Sequence, residues 1–424
     1  MSMQENEMQK YPKKYKKNVE NKNVENNKNS KGNTHKIKPW VKRLLFILVP
    51  LIVVAGGGGA WFFFSSLRSI NHTINSGTTP EIKETLTPVE SPKEPVSVLI
   101  LGIDTRDNES DRGRADTIML LYLDPGRNRG SLLSIPRDTL VEIPGHGKDK
   151  INAAYAYGGE ELMIETVSQF LDADINHYIT VDFQGFVELI DALGGVDIVI
   201  DRPLIDPKSG ANFSAGKHHL TGEQALSYTR SRSTELGDIG RIQRQQHLFR
   251  ELVNQKLNTK YLSGLPQYIN IVVQNTRTDL NVLDILKYSK VALSFSSENF
   301  ETAIIPSHPD WIENGTISVQ IPDIDEARDM WKRIVRGEPA SKYNALYFEL
   351  EGFPDSAAVN TYYNVKLKAK NTGAITWRKS GDNPFFAGYH WIDFENKKMV
   401  VFDGDRAFLS KEEVKPGEEV EFEL

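Results

Sequence analysis

Apolar positions along the chain fall into three textures. The first is an uninterrupted charge-free run from Leu44 to Phe64, 21 residues of apolar, glycine, alanine and proline type. As a helix at ~1.5 Å per residue such a run is about 31 Å long, enough to cross a bilayer. The second texture begins at Ser97. Short β-branched runs at Val98–Ile103, Thr117–Leu123, Ser131–Ile135, His177–Val181 and Val196–Ile200 predict strands. Helical spacing predicts helices over Glu160–Leu171, Phe183–Leu193, Gly222–Tyr228, Arg241–Leu257, Val282–Leu293 and Ile324–Val335. Strands interleaved with helices indicate an α/β layered domain. Only about a dozen residues separate the first two strands, too few for a helical crossover, so the sheet is expected to be mixed. The third texture follows Gly337, where helical periodicity stops. Tyr347–Leu350, Tyr363–Lys370, His390–Phe394 and Lys398–Phe402 read as short strands, with turns at Asn371-Thr372-Gly373 and Asp403-Gly404-Asp405, the pattern of a β-sandwich. Glu419–Leu424 reads as a strand with nothing after it, short of a complete sandwich.

Charge orients the first run. Residues 1–43 hold 12 Lys/Arg and 4 Asp/Glu, whereas the whole chain carries −6, leaving −14 on residues 65–424. A basic flank stays on the cytoplasmic side, so the acidic bulk is expected outside the cell, held by an uncleaved anchor with no small-residue cleavage site after it. Five regions follow: a basic tail (1–43), the anchor (44–64), a Pro-, Thr-, Glu- and Ser-rich extended linker (65–95), an α/β domain (96–337) and the sandwich (342–424). With no cysteine there are neither disulfides nor thiolate metal sites. An acidic exterior excludes non-specific nucleic-acid binding.

Candidate chemistry gathers at predicted strand ends. Asp104 closes the first strand, and Arg114-Ala115-Asp116-Thr117 opens the second. Two carboxylates beside arginines suit one hard cation together with an anion, or else loop ion pairs. Pro136 turns the third strand out of the sheet and delivers Arg137 and Asp138 to the same rim. Arg230 and Arg232 are two apart in Tyr228-Thr229-Arg230-Ser231-Arg232. Asp238 suits a helix N-cap, ahead of Arg241, Arg244 and Gln245 on one helix face. So many guanidinium groups in an acidic domain point to a polyphosphate ligand. The chain has no G-x-x-x-x-G-K-[ST], H-E-x-x-H or G-x-S-x-G motif, and its nine histidines do not cluster.

These segments, with Lys150-Ile151-Asn152-Ala153-Ala154-Tyr155, Asp182-Phe183-Gln184-Gly185-Phe186 and Gly194-Gly195-Val196, resemble the motif set of the LytR–CpsA–Psr family over roughly residues 95–255. The resemblance implies a membrane-bound enzyme that attaches anionic glycopolymers to peptidoglycan outside Gram-positive cells. It implies Mg²⁺ (or Mn²⁺) on Asp104 and Asp116, and a polyprenyl-linked pyrophosphate gripped by Arg114, Arg137, Arg230, Arg232, Arg241 and Gln245, with Arg244 beside them. Asp104, Arg114, Asp116, Arg137 and Asp138 are the expected catalytic set, and Asp104, Asp116 and Asp138 all remain open as the base. A polyprenyl-pyrophosphate phosphatase and a non-catalytic wall-binding or regulatory protein are the competing functions. Met163, Val167, Phe170, Phe183, Phe186, Val187 and Ile190 form either a lipid slot or ordinary core. The C-terminal Asn371–Trp377 run with Tyr389-His390-Trp391 resembles an immunoglobulin-like module, its tryptophans forming core or a glycan platform.

The charge asymmetry predicts that protease added to intact, wall-stripped cells digests residues 66–424. Digestion of the tail instead, with this portion protected, overturns the orientation.

Overall fold

The computed structural model describes residues 78–104 except 92, 112–234, 237–256, 276–292, 299–352 except 314, 361–388 except 362 and 382, 391–392, 399–401 and 406–423. The expected anchor at 44–64, Arg106 and the turn at 403–405 lie outside them. Among the described residues no helix is long and apolar enough to cross a membrane.

The elements in chain order begin with α1 (Pro80–Thr85), β1 (Val96–Asp104), β2 (Arg114–Asp124) and β3 (Arg129–Ser134). A hairpin follows, β4 (Leu140–Ile143) and β5 (Gly147–Lys150), then α2 (Ala153–Leu171), β6 (His177–Asp182) and α3 (Phe183–Ala192). Next come β7 (Val196–Ile200), β8 (Leu204–Asp206), β9 (Ala211–Phe213) and β10 (Gly216–Leu220), then α4 (Gly222–Arg230) and α5 (Gly237–Lys256). The domain closes with β11 (Thr276–Thr278), α6 (Val282–Ala292), β12 (Phe300–Ile304), β13 (Ser307–Ile312), β14 (Ile317–Pro322) and α7 (Ile324–Arg336).

Six strands form one sheet in the order β11-β6-β1-β2-β3-β12. The β1–β2, β2–β3 and β6–β11 pairs are antiparallel, while β1–β6 and β3–β12 are parallel, the mixed sheet expected from the short first connection. Alternation along β1 assigns its two faces. Leu99, Leu101 and Ile103 pack with Met163, Val167 and Phe170 of α2 and with Met330, Trp331 and Ile334 of α7. Val98 and Ile100 face the other way, with Ile179 and Tyr288.

Two local features depart from the sequence reading. The helix expected from Glu160 starts at Ala153 and is broken at Gly159, whose φ of 65° is closed to most side chains. The region expected to be an extended linker is partly built into the domain. Thr79 caps α1, Ile82 is buried in the main core, and Thr78 donates to the Thr278 carbonyl at 3.2 Å. Thr87 N–H then donates to the Ile175 carbonyl at 2.8 Å. Six residues with one buried apolar side chain carry no readable period, so tertiary contact decides this helix.

The C-terminal region is β-rich. Ala345–Glu351, Lys366–Asn371 and Glu419–Glu423 form an antiparallel sheet with Lys366–Asn371 at its centre, and shorter pairs join Trp377–Arg378 to Glu413–Val414 and Phe386–Ala387 to Ala407–Phe408. Trp377 is buried with Leu409, Val414 and Phe422 and stacks on Phe385 at 5.4 Å, which makes it core. Asn371 holds the preceding turn by donating to the Ile375 and Val414 carbonyls at 2.8 and 2.9 Å. Where α7 ends, buried Arg333 donates to Glu326 at 2.8 Å and to the Ala340 carbonyl at 2.6 Å. The Ala340 N–H donates in turn to Glu301 at 3.2 Å.

Because Ile82 seals the main core, Ile82→Ala should lower the unfolding free energy by about 2–5 kcal/mol. Denaturant titration checks this; a change near zero would mean that α1 does not pack.

Candidate active site

The site starts from an irregularity in the β1–β2 ladder. Gly102 pairs with Thr117 and Ile103 with Ala115, so Asp116 is an extra residue in β2. Such a bulge re-aims a side chain. Ala115 stays in the main core, whereas Asp116 and Thr117 both border a cavity on the opposite face. A Cβ on Gly102 would lie 2.9 Å from that of Thr117, so glycine permits this approach.

Two cavities meet at Asp116. The first, about 530 Å³, lies between the sheet and α3, α4 and α5. Its walls are apolar, including Ile100, Met119, Ile179, Phe183, Phe186 and Leu248, while Arg230, Arg232, Arg241 and Gln245 also border it. The second, about 500 Å³, is polar and lined by Asp104, Arg114, Asp116, Arg137, Asp138, Lys150 and Asn152 among others. Of the residues proposed for a lipid slot, Phe183, Phe186 and Ile190 line the apolar cavity. Met163, Val167 and Phe170 instead belong to the core on the other face of the sheet.

Around Asp116 the charges interlock. Arg137 Nη1 donates to Asp116 Oδ1 at 2.6 Å, and its Nε lies 3.6 Å from Asp138 Oδ2. Lys150 donates to Asp138 Oδ1 at 2.9 Å. Arg137 is fixed by its backbone, whose carbonyl accepts from Asn152 N–H at 3.2 Å. From α5, Arg241 donates to Asp238 Oδ2 at 3.1 Å and to the Asp116 carbonyl at 3.4 Å. One turn on, Gln245 donates to Thr117 Oγ1 at 3.0 Å. Asp238, expected as an N-cap, lies inside the first turn of α5 and serves as a counter-ion, with Arg232 Nε 3.4 Å from its Oδ1.

The remaining arginines differ in placement. Arg230 ends α4, two residues beyond the helix end expected at Tyr228, and stacks over the Phe183 ring at 4.5 Å. Arg232 is held through its backbone, which donates to Asp206 Oδ2 at 2.7 Å. Arg244 borders neither cavity; it donates to the Ser231 carbonyl and so fixes the segment between Arg230, at the end of α4, and Arg232. Lys150, Asn152 and Asp206 were not singled out in the sequence as site residues. Only the resemblance of the Lys150–Tyr155 segment to a family motif signalled the first two.

These cations are under electrostatic tension. Arg241 is 3% exposed, and burial, opposed by Asp238, pulls its guanidinium down to about 10, still charged at neutral pH. Burial also disfavours charge on Arg137, but Asp116, then Asp138 and Asp238, outweigh it and hold the group above its ordinary value. Burial lowers Arg244. Hydrogen bonding, foremost from the Arg232 N–H, holds the Asp206 carboxyl below the usual range. The Nε atoms of Arg137, Arg241 and Arg244 are buried without hydrogen-bond partners. Each such group costs about 1–3 kcal/mol, and an anion between Arg137 and Arg241 would offset that cost for those two.

This fold has counterparts. The model of the LytR_cpsA_psr family matches residues 62–336. The chain belongs to that family. A Bacillus cereus (strain AH820) protein named polyisoprenyl-teichoic acid–peptidoglycan teichoic acid transferase TagU is 39% identical over 238 residues, covering 55% of this chain and 76% of the relative. The Enterococcus faecalis (strain ATCC 700802 / V583) protein of the same name is 40% identical over 208 residues, 48% of this chain and 67% of the relative. Among solved structures, Bacillus subtilis TagV superposes with a TM-score of 0.53 at 29% identity, covering 57% of this chain and 98% of TagV. The family match begins ahead of α1, in keeping with the packing of α1 on the domain.

Arg241→Met should weaken inorganic pyrophosphate binding by roughly tenfold to over a hundredfold, the value of a charge-assisted bond of about 1.5–3 kcal/mol. The unfolding free energy should stay within about 1 kcal/mol of wild type, because an imperfectly paired buried cation is replaced by a packed apolar chain and Asp238 keeps Arg232. Calorimetric titration and denaturant unfolding read the two quantities separately.

Proposed function

We propose that the chain is a glycopolymer–peptidoglycan phosphotransferase. It moves a teichoic acid-like or other anionic wall polymer from a polyprenyl-pyrophosphate carrier to peptidoglycan, outside the cell membrane. The observation that carries this reading is the meeting of an apolar and a polar cavity at Asp116, with Arg137 and Arg241 between them. An amphiphile with a long hydrocarbon arm and a diphosphate head matches both halves. The TagU relatives, named as teichoic acid transferases, support the same chemistry.

In this reading the prenyl chain lies against Phe183, Phe186 and Leu248, and Arg137, Arg232 and Arg241 hold the diphosphate. A peptidoglycan hydroxyl attacks the phosphorus on the sugar side. The new P–O bond forms as the bond to polyprenyl phosphate breaks, and the hydroxyl proton passes to a carboxylate of the polar cavity, Asp104, Asp116 or Asp138. Catalysis is then chiefly positioning and fixed charge. Arg137 and Arg241 are already largely desolvated and oriented, so little reorganisation accompanies charge build-up on the leaving phosphate.

A divalent cation fits the donor set. Asp104 and Asp116 line one polar cavity, and one or two carboxylates completed by phosphate oxygens and water suit Mg²⁺, or Mn²⁺ in its place. Among the described residues there is no group of three or more His, Cys, Asp or Glu that could hold a metal ion by itself. When bound, the ion neutralises charge on the phosphate oxygens. The proposal extends to a single-pass anchor at Leu44–Phe64 with a cytoplasmic N-terminus, an immunoglobulin-like sandwich for the C-terminal β-rich region, and no nucleic-acid partner.

The test incubates the full chain with a lipid-linked polymer precursor, Mg²⁺ and peptidoglycan oligomers. A polymer–peptidoglycan phosphodiester is expected, and EDTA or Asp104→Asn should slow its formation by at least about a hundredfold. Polymer phosphate released without conjugation would make the protein a phosphatase; undiminished turnover in EDTA would remove the metal.

A further inference from the structure

The proposed reaction leaves one wall of the polar cavity without an assigned task. That wall comes from the β4–β5 hairpin and the short helical turn ahead of Gly159, and it supplies Lys150, Asn152 and Ala156. Asn152 is 3% exposed, and its Oδ1 is buried without a partner. Directly after Ala156, Tyr157 is 46% exposed and lies parallel to His146 of the hairpin turn, ring centroids 4.5 Å apart at an interplanar angle of 10°. The Tyr157 hydroxyl donates to Asp149 Oδ2 at 2.6 Å, which pins the ring. Its anchor Asp149 directly precedes the cavity-lining Lys150, so the stack sits at the edge of that wall.

Direction of attack decides what this wall faces. In a phosphoryl transfer the attacking and leaving oxygens lie roughly in line. If polyprenyl phosphate leaves toward the apolar cavity, the acceptor arrives from the polar one. Resting on that reading, we propose that the His146–Tyr157 stack, with Asn152 and Lys150, is the acceptor-glycan subsite, which takes an N-acetylhexosamine of a peptidoglycan strand. A flat, rigidly held aromatic pair suits the apolar C–H face of a pyranose, while a few fixed polar groups deeper in the cavity select hydroxyl and amide substituents. Lys150 is held on Asp138 at 2.9 Å, so a hydroxyl brought to this wall reaches a carboxylate and the diphosphate-binding arginines in one place. The donor's own first sugar shares this chemistry and is the rival occupant.

His146→Ala, Tyr157→Leu and Tyr157→Phe in the full chain separate these outcomes. The first two should raise the acceptor KM tenfold or more with the donor KM unmoved. Tyr157→Phe, which keeps the ring, should stay within a few-fold of wild type. In a parallel titration with polymer-free peptidoglycan glycan strands and no donor, wild type should bind, and His146→Ala and Tyr157→Leu should lose affinity by the same factor. A raised donor KM with the acceptor KM constant would hand the stack to the donor sugar and overturn the assignment. So would unchanged KM values, or no wild-type glycan binding. If glycan binding depends on Tyr157 but no transfer product forms, the subsite stands and the transferase reading falls.

Discussion

One extra residue in β2 is the constraint on which the site depends. Without the bulge, strand alternation would place Asp116 and Thr117 on opposite faces, and the link from α5 through Gln245 to Thr117 would not coincide with the carboxylate that Arg137 grips. With it, one stretch of backbone borders both cavities. The arrangement concentrates positive charge in a partly buried space, and Asp116 and Asp238 only partly compensate it. Arg241 bears most of that burden, being almost fully enclosed. A site of this kind is strained toward an anionic ligand before one arrives, the electrostatic preorganisation on which phosphoryl transfer relies.

Much of this was legible in the sequence because it rests on local rules. The short first connection forced an antiparallel β1–β2 pair, and Pro136 turned Arg137 out of the sheet. Helical spacing put Arg241 and Gln245 on one face, where both reach β2. What escaped depends on contacts between distant segments. Arg244 shares the helical register of its neighbours but turns toward Ser231 just beyond the end of α4, and spacing cannot say which neighbour a face meets. Met163, Val167 and Phe170 have the right character for a lipid slot but lie under the opposite face of the sheet. Hydrophobicity alone does not distinguish a packed layer from a cavity wall.

The supporting residues have a common logic. Asp206 holds the backbone of Arg232, Arg244 holds the carbonyl of Ser231, and Asn152 holds the carbonyl of Arg137. The bonds that hold Arg232 and Arg137 use their backbones alone, so these two guanidinium forks keep donor capacity while their attachment points are fixed. Backbone anchoring of this kind limits the entropy lost when long side chains settle on a ligand.

The seam beyond α7 has a practical consequence for anyone dissecting the chain. Gly337 looks like the natural end of the α/β domain, since it terminates the last helix in the left-handed region with φ 80°. Yet Ala340 caps buried Arg333 with its carbonyl and meets Glu301 of β12 with its N–H, and Lys342 reaches Asp329 at 3.3 Å. A fragment trimmed at the glycine would take one hydrogen-bond partner from the enclosed Arg333 and one from the partly buried Glu301, leaving each only its ion pairs within the domain. The workable cut for a stand-alone fragment, or for grafting a different module, therefore falls after Lys342.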